Sequence, residues 1–434
     1  MDWTQQYADR VMTLDEAAAL VHQTDRVMVG LPEPAPWLEA LGARADLADV
    51  EIFVPAPRDG AVAAGANQAI RLLAPFLTDQ MRLSKTPVEI LPVHLSGWGP
   101  MAERWSPRVR AVLIGEPDAA GIVHPGGSLA ADDELVRGQR SPDSVVIGLV
   151  DPHQPRMPGF TYNVTDFDVL VPLSVDTPRT VYDLRKEPAA IDDFVAAVGE
   201  LIPDKSTLQS GIGSVPEAIM ARLTHKRDLG VHTEVLGGGM AALVDSDAVS
   251  NRYKGHYDGN TVFTIVLPEA VEFASRHPSS LMLPTRLVLD PREVARNRLM
   301  RCVNSAVQVD LFGQGNAEMI GGVQYSGVGG QLDFLRACTM ADDALSILVL
   351  ESVTSKNISR IVPRLDVNAA TATRYDTQVV VTEYGVAWLR DATMRQKAQR
   401  LIAIAHPDHR ARLEEEASKM GLGQSTGRSV RPTT

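Results

Sequence analysis

One pattern occurs twice in this chain and limits what it can fold into. Arg26 to Val29 reads as a strand ending at Gly30. A proline-rich start (Pro32, Pro34, Pro36) leads into a helix through Leu41, and Glu51-Ile52-Phe53-Val54 is the next strand. Thr207-Leu208-Gln209 opens the same series: a glycine turn at Gly211-Ile212-Gly213, a helix through Leu223, then Val231 to Leu236 as a short β-branched strand ended by Gly237-Gly238-Gly239. Pro216 falls in the first helical turn, where proline is tolerated because that N–H has no intrahelical partner. The registers agree, since Pro34 with Pro216, Leu41 with Leu223 and Asp46 with Asp228 are each 182 positions apart. We read a duplicated α/β unit, one per half. The copies differ where it matters chemically: Pro55 follows the second strand of the first, and Glu234 takes that place in the second. Strand ends in open α/β sheets face the crevice where ligands bind, so the reactive group is expected in the second half.

Length supports the same division. At 434 residues the chain exceeds one ordinary core. A helix from Asp192 to Leu201 opens the second half, which gives expected domains at 1–190 and 191–420 and a Gly/Ser/Thr/Arg-rich flexible tail at 421–434. Val88–Leu91, Ala111–Ile114, Ser144–Val150, Phe167–Pro172, Ser305–Leu311, Ser346–Leu350 and Gln378–Thr382 are further strand candidates, mostly apolar runs of the kind buried in parallel sheets. Gly97-Trp98-Gly99-Pro100 and His124-Pro125-Gly126-Gly127 read as loops. Thr13 and Glu16 form a capping box for a helix through Val21, and Thr393 to Ala405 is a helix stopped by Pro407. The net charge of −12 argues against nucleic acid or an anionic membrane surface as partner. No apolar run approaches the ~20 residues of a membrane span. Two cysteines, Cys302 and Cys338, do not make a disulfide framework, and the N-terminal segment carries acids and no long apolar core; the expected setting is cytoplasmic.

Two glycine-rich turns, Ser210-Gly211-Ile212-Gly213-Ser214 and Ser326-Gly327-Val328-Gly329-Gly330, are the candidate binding elements. Without a Cβ, backbone N–H groups can approach a ligand or aim at developing negative charge; the plain alternative is a tight turn with no ligand. Neither fits G-x-G-x-x-G, no Walker A, HExxH or CxxC sequence occurs, and no G-x-S-x-G stands at a strand-to-helix elbow, so dinucleotide, metal and serine-hydrolase readings find no support and no metal is expected. Glu234, at a strand end with a glycine turn on each side and no adjacent lysine or arginine, is the candidate catalytic carboxylate. Lys356, Arg360 and Arg336 are either surface charges or clamps for a phosphate or carboxylate.

Six ordered blocks then resemble a known family: DLGVHTE (228–234), NSAVQVDLFGQ (304–314), YSGVGGQLDFLRA (325–337), SRIVPRL (359–365), VVTEYGVAWLR (380–390) and LIAIAHPDHR (401–410). TLQSGIG and PVHLSGWGP extend the match toward the first half. Together they are similar to the acetyl-CoA hydrolase/transferase family, in particular to its 4-hydroxybutyrate and butyryl/acetate CoA-transferase type. The resemblance implies a class I CoA-transferase fold of two tandem open α/β domains with the active site in the cleft between them, assembled as a homo-oligomer, a dimer. It implies that Glu234 becomes a glutamyl-CoA thioester and that the turn containing Gly329 and Gly330 lies against the thioester oxygen. Ser326, Gly327 and Gly330, together with Ser210, Gly211, Ile212, Gly213 and Ser214, would contact coenzyme A, and Lys356 would meet its phosphates. The chain departs from the family pattern at Ser214, at 204–206, at 235–239 and at 341–345.

The chemistry suits a carboxylate, because glutamate is ionised at neutral pH without a neighbouring base and a thioester is electrophilic enough for it to attack. The expected substrates are acyl-CoA and small carboxylic acids, with no tightly bound cofactor. Two other readings stand beside transfer: acyl-CoA hydrolysis on the same site, and a non-catalytic acyl-CoA binding protein.

Overall fold

The computed structural model describes residues 2–174, 189–365 and 369–423; the tail expected at 421–434 falls almost wholly outside them. The first half is built on strands β1 (Arg26–Val29), β2 (Val50–Phe53), β3 (Ile70–Ala74), β4 (Glu89–Ile90), β5 (Val109–Ile114), β6 (Val145–Val150) and β7 (Val169–Pro172). They form one sheet in the order β4-β3-β2-β1-β5-β6-β7, and every pair is parallel. Strands β2, β5 and β6 are almost continuously buried, as parallel strands covered on both faces must be.

In the second half, β8 (Thr207–Ser210), β9 (Gly230–Val231), β10 (Val235–Leu236), β11 (Thr261–Phe263), β12 (Ile265–Val266), β13 (Ser280–Met282), β14 (Met300–Ser305), β15 (Leu345–Val349), β16 (Val379–Thr382) and β17 (Gly385–Trp388) follow. The main sheet runs β9-β8-β14-β15-β16-β17, parallel except for its last strand. A bridge between His232 and Val262 continues it to β11 and β13, so the strand order of the first sheet recurs.

The repeat extends to packing. Glu33 accepts hydrogen bonds from the N–H groups of Gly60 (2.8 Å) and Arg58 (2.9 Å) at the start of the helix Asp59–Gly65, and Glu217 accepts one from Gly239 (2.6 Å) at the start of the helix Gly238–Asp245. In both halves a carboxylate therefore meets the positive end of the next helix. Burial raises both carboxyls, Glu33 to about 7. Beyond the first helix the register changes: Asp49 and Asp228 are the paired left-handed residues (φ 51° and 57°) just before the second strand, so the partner of Asp228 is Asp49 and not Asp46. The same register pairs Pro55 with Glu234.

Three local expectations are corrected. Val231–Leu236 is not one strand: β9 ends at Val231, and Val235–Leu236 pairs with Ile265–Val266 instead. Gly97–Pro100 is not a loop: Gly97 ends the 3₁₀ turn Leu95–Gly97, which runs into the helix Trp98–Trp105; Pro100 lies in the first turn of that helix, and Gly99 leaves room for the Glu134 side chain. Of the strand expected at Ser305–Leu311, Gln308–Asp310 is a short strand paired with Ile361–Val362, whereas the central strand of the main sheet is Met300–Ser305. Its signal is hidden by Arg301, a buried cation that donates to the carbonyls of Leu201 (2.8 Å) and Asp343 (2.7 Å).

Apolar packing ties the halves together. The helix-covered outer faces of the two sheets have separate cores, around Trp37 and Leu38 in the first half and around Leu401 and Leu413 in the second. A third, larger core joins Met28, Phe53 and Ile114 to Val303, Phe334 and Ile347, so the sheets close on each other with the cleft at one side.

Candidate active site

Glu234 sits where the chain steps from one strand ladder to another. Its carbonyl accepts the N–H groups of Thr264 (3.1 Å) and Ile265 (3.0 Å), which holds the backbone while the side chain leaves the sheet. His232 is fully buried; its Nε2 lies 2.8 Å from the Val288 carbonyl and its Nδ1 3.2 Å from Asn297 Nδ2. Burial, with the nearby Lys254, lowers His232 to about 3, so the imidazole is neutral, donating at Nε2 and accepting at Nδ1. Lys254 is itself buried and brought to about 7, with its ammonium on the carbonyls of Val231 (2.7 Å) and Asn260 (2.6 Å). These side chains brace the segment that carries Glu234 and do not line the cavity.

The Glu234 carboxylate meets the second glycine turn. Gly330 N–H donates to Oε2 at 3.0 Å. A Cβ at Gly330 would lie 2.4 Å from that oxygen, and Gly329 takes φ +55°, so glycine is required for this approach. Burial raises Glu234 to about 8; the charge of Asp333 adds to the effect and the Gly330 hydrogen bond opposes it. Asp333, on the first turn of the helix Gln331–Met340, is buried and raised to about 6, chiefly by burial. Ser96 of the first half holds it, donating through Oγ (2.6 Å) and N–H (3.2 Å).

A cavity of about 1070 Å³ opens beside Glu234. Both glycine turns line it: Ser210, Gly211, Ile212, Gly213 and Ser214 from one, Ser326, Gly327, Gly329 and Gly330 from the other. The first half closes it with Arg58, Arg82 and the segment 76–80. Arg82 stacks on the Tyr325 ring at 3.8 Å and donates to its carbonyl. The structure therefore brings together the residues singled out from the sequence except Lys356 and Arg336; Lys356 is exposed and outside the lining although Ser355 is part of it. Arg360 lines the cavity and lies 3.7 Å from Glu351; Arg336 is paired with Asp376 (2.7 Å) outside it. Sequence reasoning missed Asp333, Ser96, Arg58 and Arg82. The first two were inside quoted blocks, at GGQLDF and HLSG, and became readable only when the halves met. Among the described residues no group of three or more His, Cys, Asp and Glu side chains could hold a metal, and no helix is long and apolar enough to cross a membrane.

Such a site supplies a buried carboxylate, a backbone N–H aimed at one of its oxygens, and room for an extended ligand. Such elements can support covalent acyl chemistry.

Comparison with known proteins agrees with this geometry. Residues 268–417 match the acetyl-CoA hydrolase/transferase C-terminal domain. The 4-hydroxybutyrate coenzyme A transferase of Clostridium kluyveri is 35% identical over 320 residues, 72% of each chain. The succinyl-CoA:cyclohexane-1-carboxylate CoA transferase of Geobacter metallireducens is 32% identical over 96% of this chain and 97% of its own. Among solved structures, RipA from Yersinia pestis superposes with a TM-score of 0.88 at 28% identity, covering 97% of this chain and all of that one. A 4-hydroxybutyrate CoA-transferase from Porphyromonas gingivalis gives 0.78 at 26% identity, over 96% of this chain and all of its own. With a two-sheet α/β fold, a cleft glutamate and relatives matched along its whole length, this chain belongs to the acetyl-CoA hydrolase/transferase family.

Proposed function

We propose that the protein moves coenzyme A from a short-chain acyl-CoA to a carboxylic acid acceptor, in ping-pong fashion, through a glutamyl-CoA thioester on Glu234. The observation that carries this reading is the Gly330 N–H placed 3.0 Å from the Glu234 carboxylate inside a cavity shared by both halves. Glu234 attacks the acyl carbonyl carbon, forming a C–O bond while the C–S bond breaks and the electron pair leaves on sulfur. The thiolate then attacks Cδ of Glu234, forming the enzyme thioester and releasing the acid. An incoming carboxylate reverses both steps. N–H groups of the 327–330 turn stabilise the tetrahedral oxyanions; losing one such donor costs about 3 kcal/mol. The turns at 210–214 and 326–330 hold coenzyme A as substrate, and no tightly bound cofactor enters the scheme. Remote contacts along the rest of the coenzyme supply binding energy for the covalent step.

Residues 1–190 and 191–420 act as the two domains that enclose the substrate. Two buried free thiols, Cys302 and Cys338, fit a reducing cytoplasm, and a homodimer is the expected assembly. Hydrolysis is the second reading, since an acetyl-CoA hydrolase of Schizosaccharomyces pombe is 30% identical over half of this chain; it differs only in whether water reaches the acyl-enzyme.

Incubation with acetyl-CoA, with and without butyrate or propionate, separates the two. Transfer predicts butyryl- or propionyl-CoA that forms only when the acid is added, whereas coenzyme A release indifferent to the acid establishes hydrolysis. A non-catalytic binder shows neither, and intact mass then finds no covalent coenzyme A on Glu234.

A further inference from the structure

The turn that presents its N–H to Glu234 is gripped from the opposite half of the molecule. Gly327 packs against the Pro75 carbonyl so closely that a Cβ there would lie 2.1 Å from the oxygen. Leu95 N–H donates to the Gly329 carbonyl at 2.9 Å. One residue on, Ser96 takes both oxygens of Asp333, Oδ1 at 2.6 Å and Oδ2 at 3.2 Å. Residues 95–96 thus hold the turn on both sides of Gly330 and fix a carboxylate one helical turn beyond it, near the nucleophile.

We propose that Asp333, held by Ser96, is a positioning residue whose fixed negative charge disfavours free, ionised Glu234 and so favours the covalent states. The inference rests on the reading of Glu234 as nucleophile. Through the cycle the side chain at 234 is anionic only as the free carboxylate; as anhydride and as thioester it is neutral, its charge having left on the thiolate and then on the released acid. A neighbouring anion therefore raises the free carboxylate relative to the neutral enzyme thioester left once the acid has departed, and it makes the carboxylate more basic. Burial of Glu234 acts in the same direction, and the Gly330 N–H opposes it. Asp333 does this work only while charged. Ser96 and His94 of the first half favour its ionised form, whereas its own burial and Asp290 oppose it. Docking of the first half thereby sets both the oxyanion donor and the charge beside the nucleophile.

The test uses the full chain as wild type, Asp333→Asn and Ser96→Ala, with thermal melting to confirm folding. The pH profile of kcat/KM and the covalent coenzyme A fraction at subsaturating acetyl-CoA, read by intact mass, are the two measurements. Asp333→Asn moves the acid limb down by roughly one pH unit. It lowers the covalent fraction about tenfold at alkaline pH. Ser96→Ala follows Asp333→Asn at acid pH, where Asp333 becomes protonated, and wild type at alkaline pH. Loss of rate with the acid limb and covalent fraction unmoved overturns the proposal, because a merely structural contact behaves that way. An unchanged Asp333→Asn enzyme overturns it as well. If wild type transfers acyl groups yet holds no covalent coenzyme A, the nucleophile reading has failed first and this one falls with it.

Discussion

Replacing Glu234 by glutamine isolates the cost of keeping a carboxylate in the cleft. The carboxyl is raised to about 8 from an ordinary value of 4.5, by burial and then by Asp333. A folded value above the unfolded one means that the folded chain keeps the proton across that interval. The contribution to stability is then fully present below 4.5 and is lost as pH rises through 8. Each unit corresponds to about 1.4 kcal/mol, so wild type loses roughly 2 kcal/mol from this group between about pH 6 and pH 8. The amide of Glu234→Gln has no proton to lose and still accepts from Gly330. Its stability advantage over wild type should therefore widen by about 2 kcal/mol over that range, or about 2–3 °C in Tm for a chain of this size. Melting both proteins at several pH values between about 6 and 9, at constant ionic strength, measures the gap. Lys254 and His232 titrate in both proteins and cancel in the difference. A gap that stays constant or narrows with rising pH refutes the argument, since Glu234 would then be ionised and comfortable in the folded cleft.

Activity should follow the same group. Glu234→Ala is expected to lose at least about 10⁴-fold in transfer and all hydroxylamine-labile coenzyme A, as removal of a covalent nucleophile does; turnover within tenfold of wild type would discard the mechanism. For the wild-type enzyme, kcat/KM should rise with pH toward a plateau above about 8, where free Glu234 is ionised; a flat profile from pH 6 to 9 counts against the raised carboxyl. Gly330→Ala puts a methyl 2.4 Å from both Glu234 Oε2 and Leu289 Cδ2, which must displace the N–H donor. We expect a fall of about 10²-fold in kcat in a chain that still folds, read by steady-state kinetics alongside circular dichroism.

Much of this arrangement was legible from residue order. Proline, glycine and apolar spacing located the two copies, and a strand end between two glycine turns singled out Glu234. What the sequence hid has identifiable physical causes. Arg301 disguised a central strand because its guanidinium is satisfied by carbonyls rather than by water. The break between Val231 and Val235 left no trace in β-propensity, since pairing partners, and not the residues themselves, decide where a ladder ends. Asp333 and Ser96 lie 237 positions apart, and no local pattern announces a hydrogen bond between two halves. Lys356 was matched by its place beside a quoted block, yet the cavity's arginines come from the other half as well, at Arg58 and Arg82.

The duplication shows why only one copy presents a carboxylate to the cleft. Each half offers the same crevice at its second strand, and each caps the following helix with a buried carboxylate, Glu33 or Glu217. In the first copy the chain continues from Val54 into Pro55, with Val54 N–H on the Leu73 carbonyl, and no functional group projects. In the second the same ladder runs on, His232 N–H on the Leu208 carbonyl and Thr233 N–H on the Val262 carbonyl, and the pairing partner changes only at Glu234, after which Val235–Leu236 pairs with Ile265–Val266. His232 and Thr233 are buried as braces, and Glu234 keeps its carbonyl on Thr264 and Ile265 while its carboxylate turns into the cleft. A nucleophile that must form and break covalent bonds needs a side chain clear of the sheet on a backbone that does not yield. The change of pairing partner at Glu234 provides both, while the first copy contributes Leu95 and Ser96 as the grip on the opposing turn.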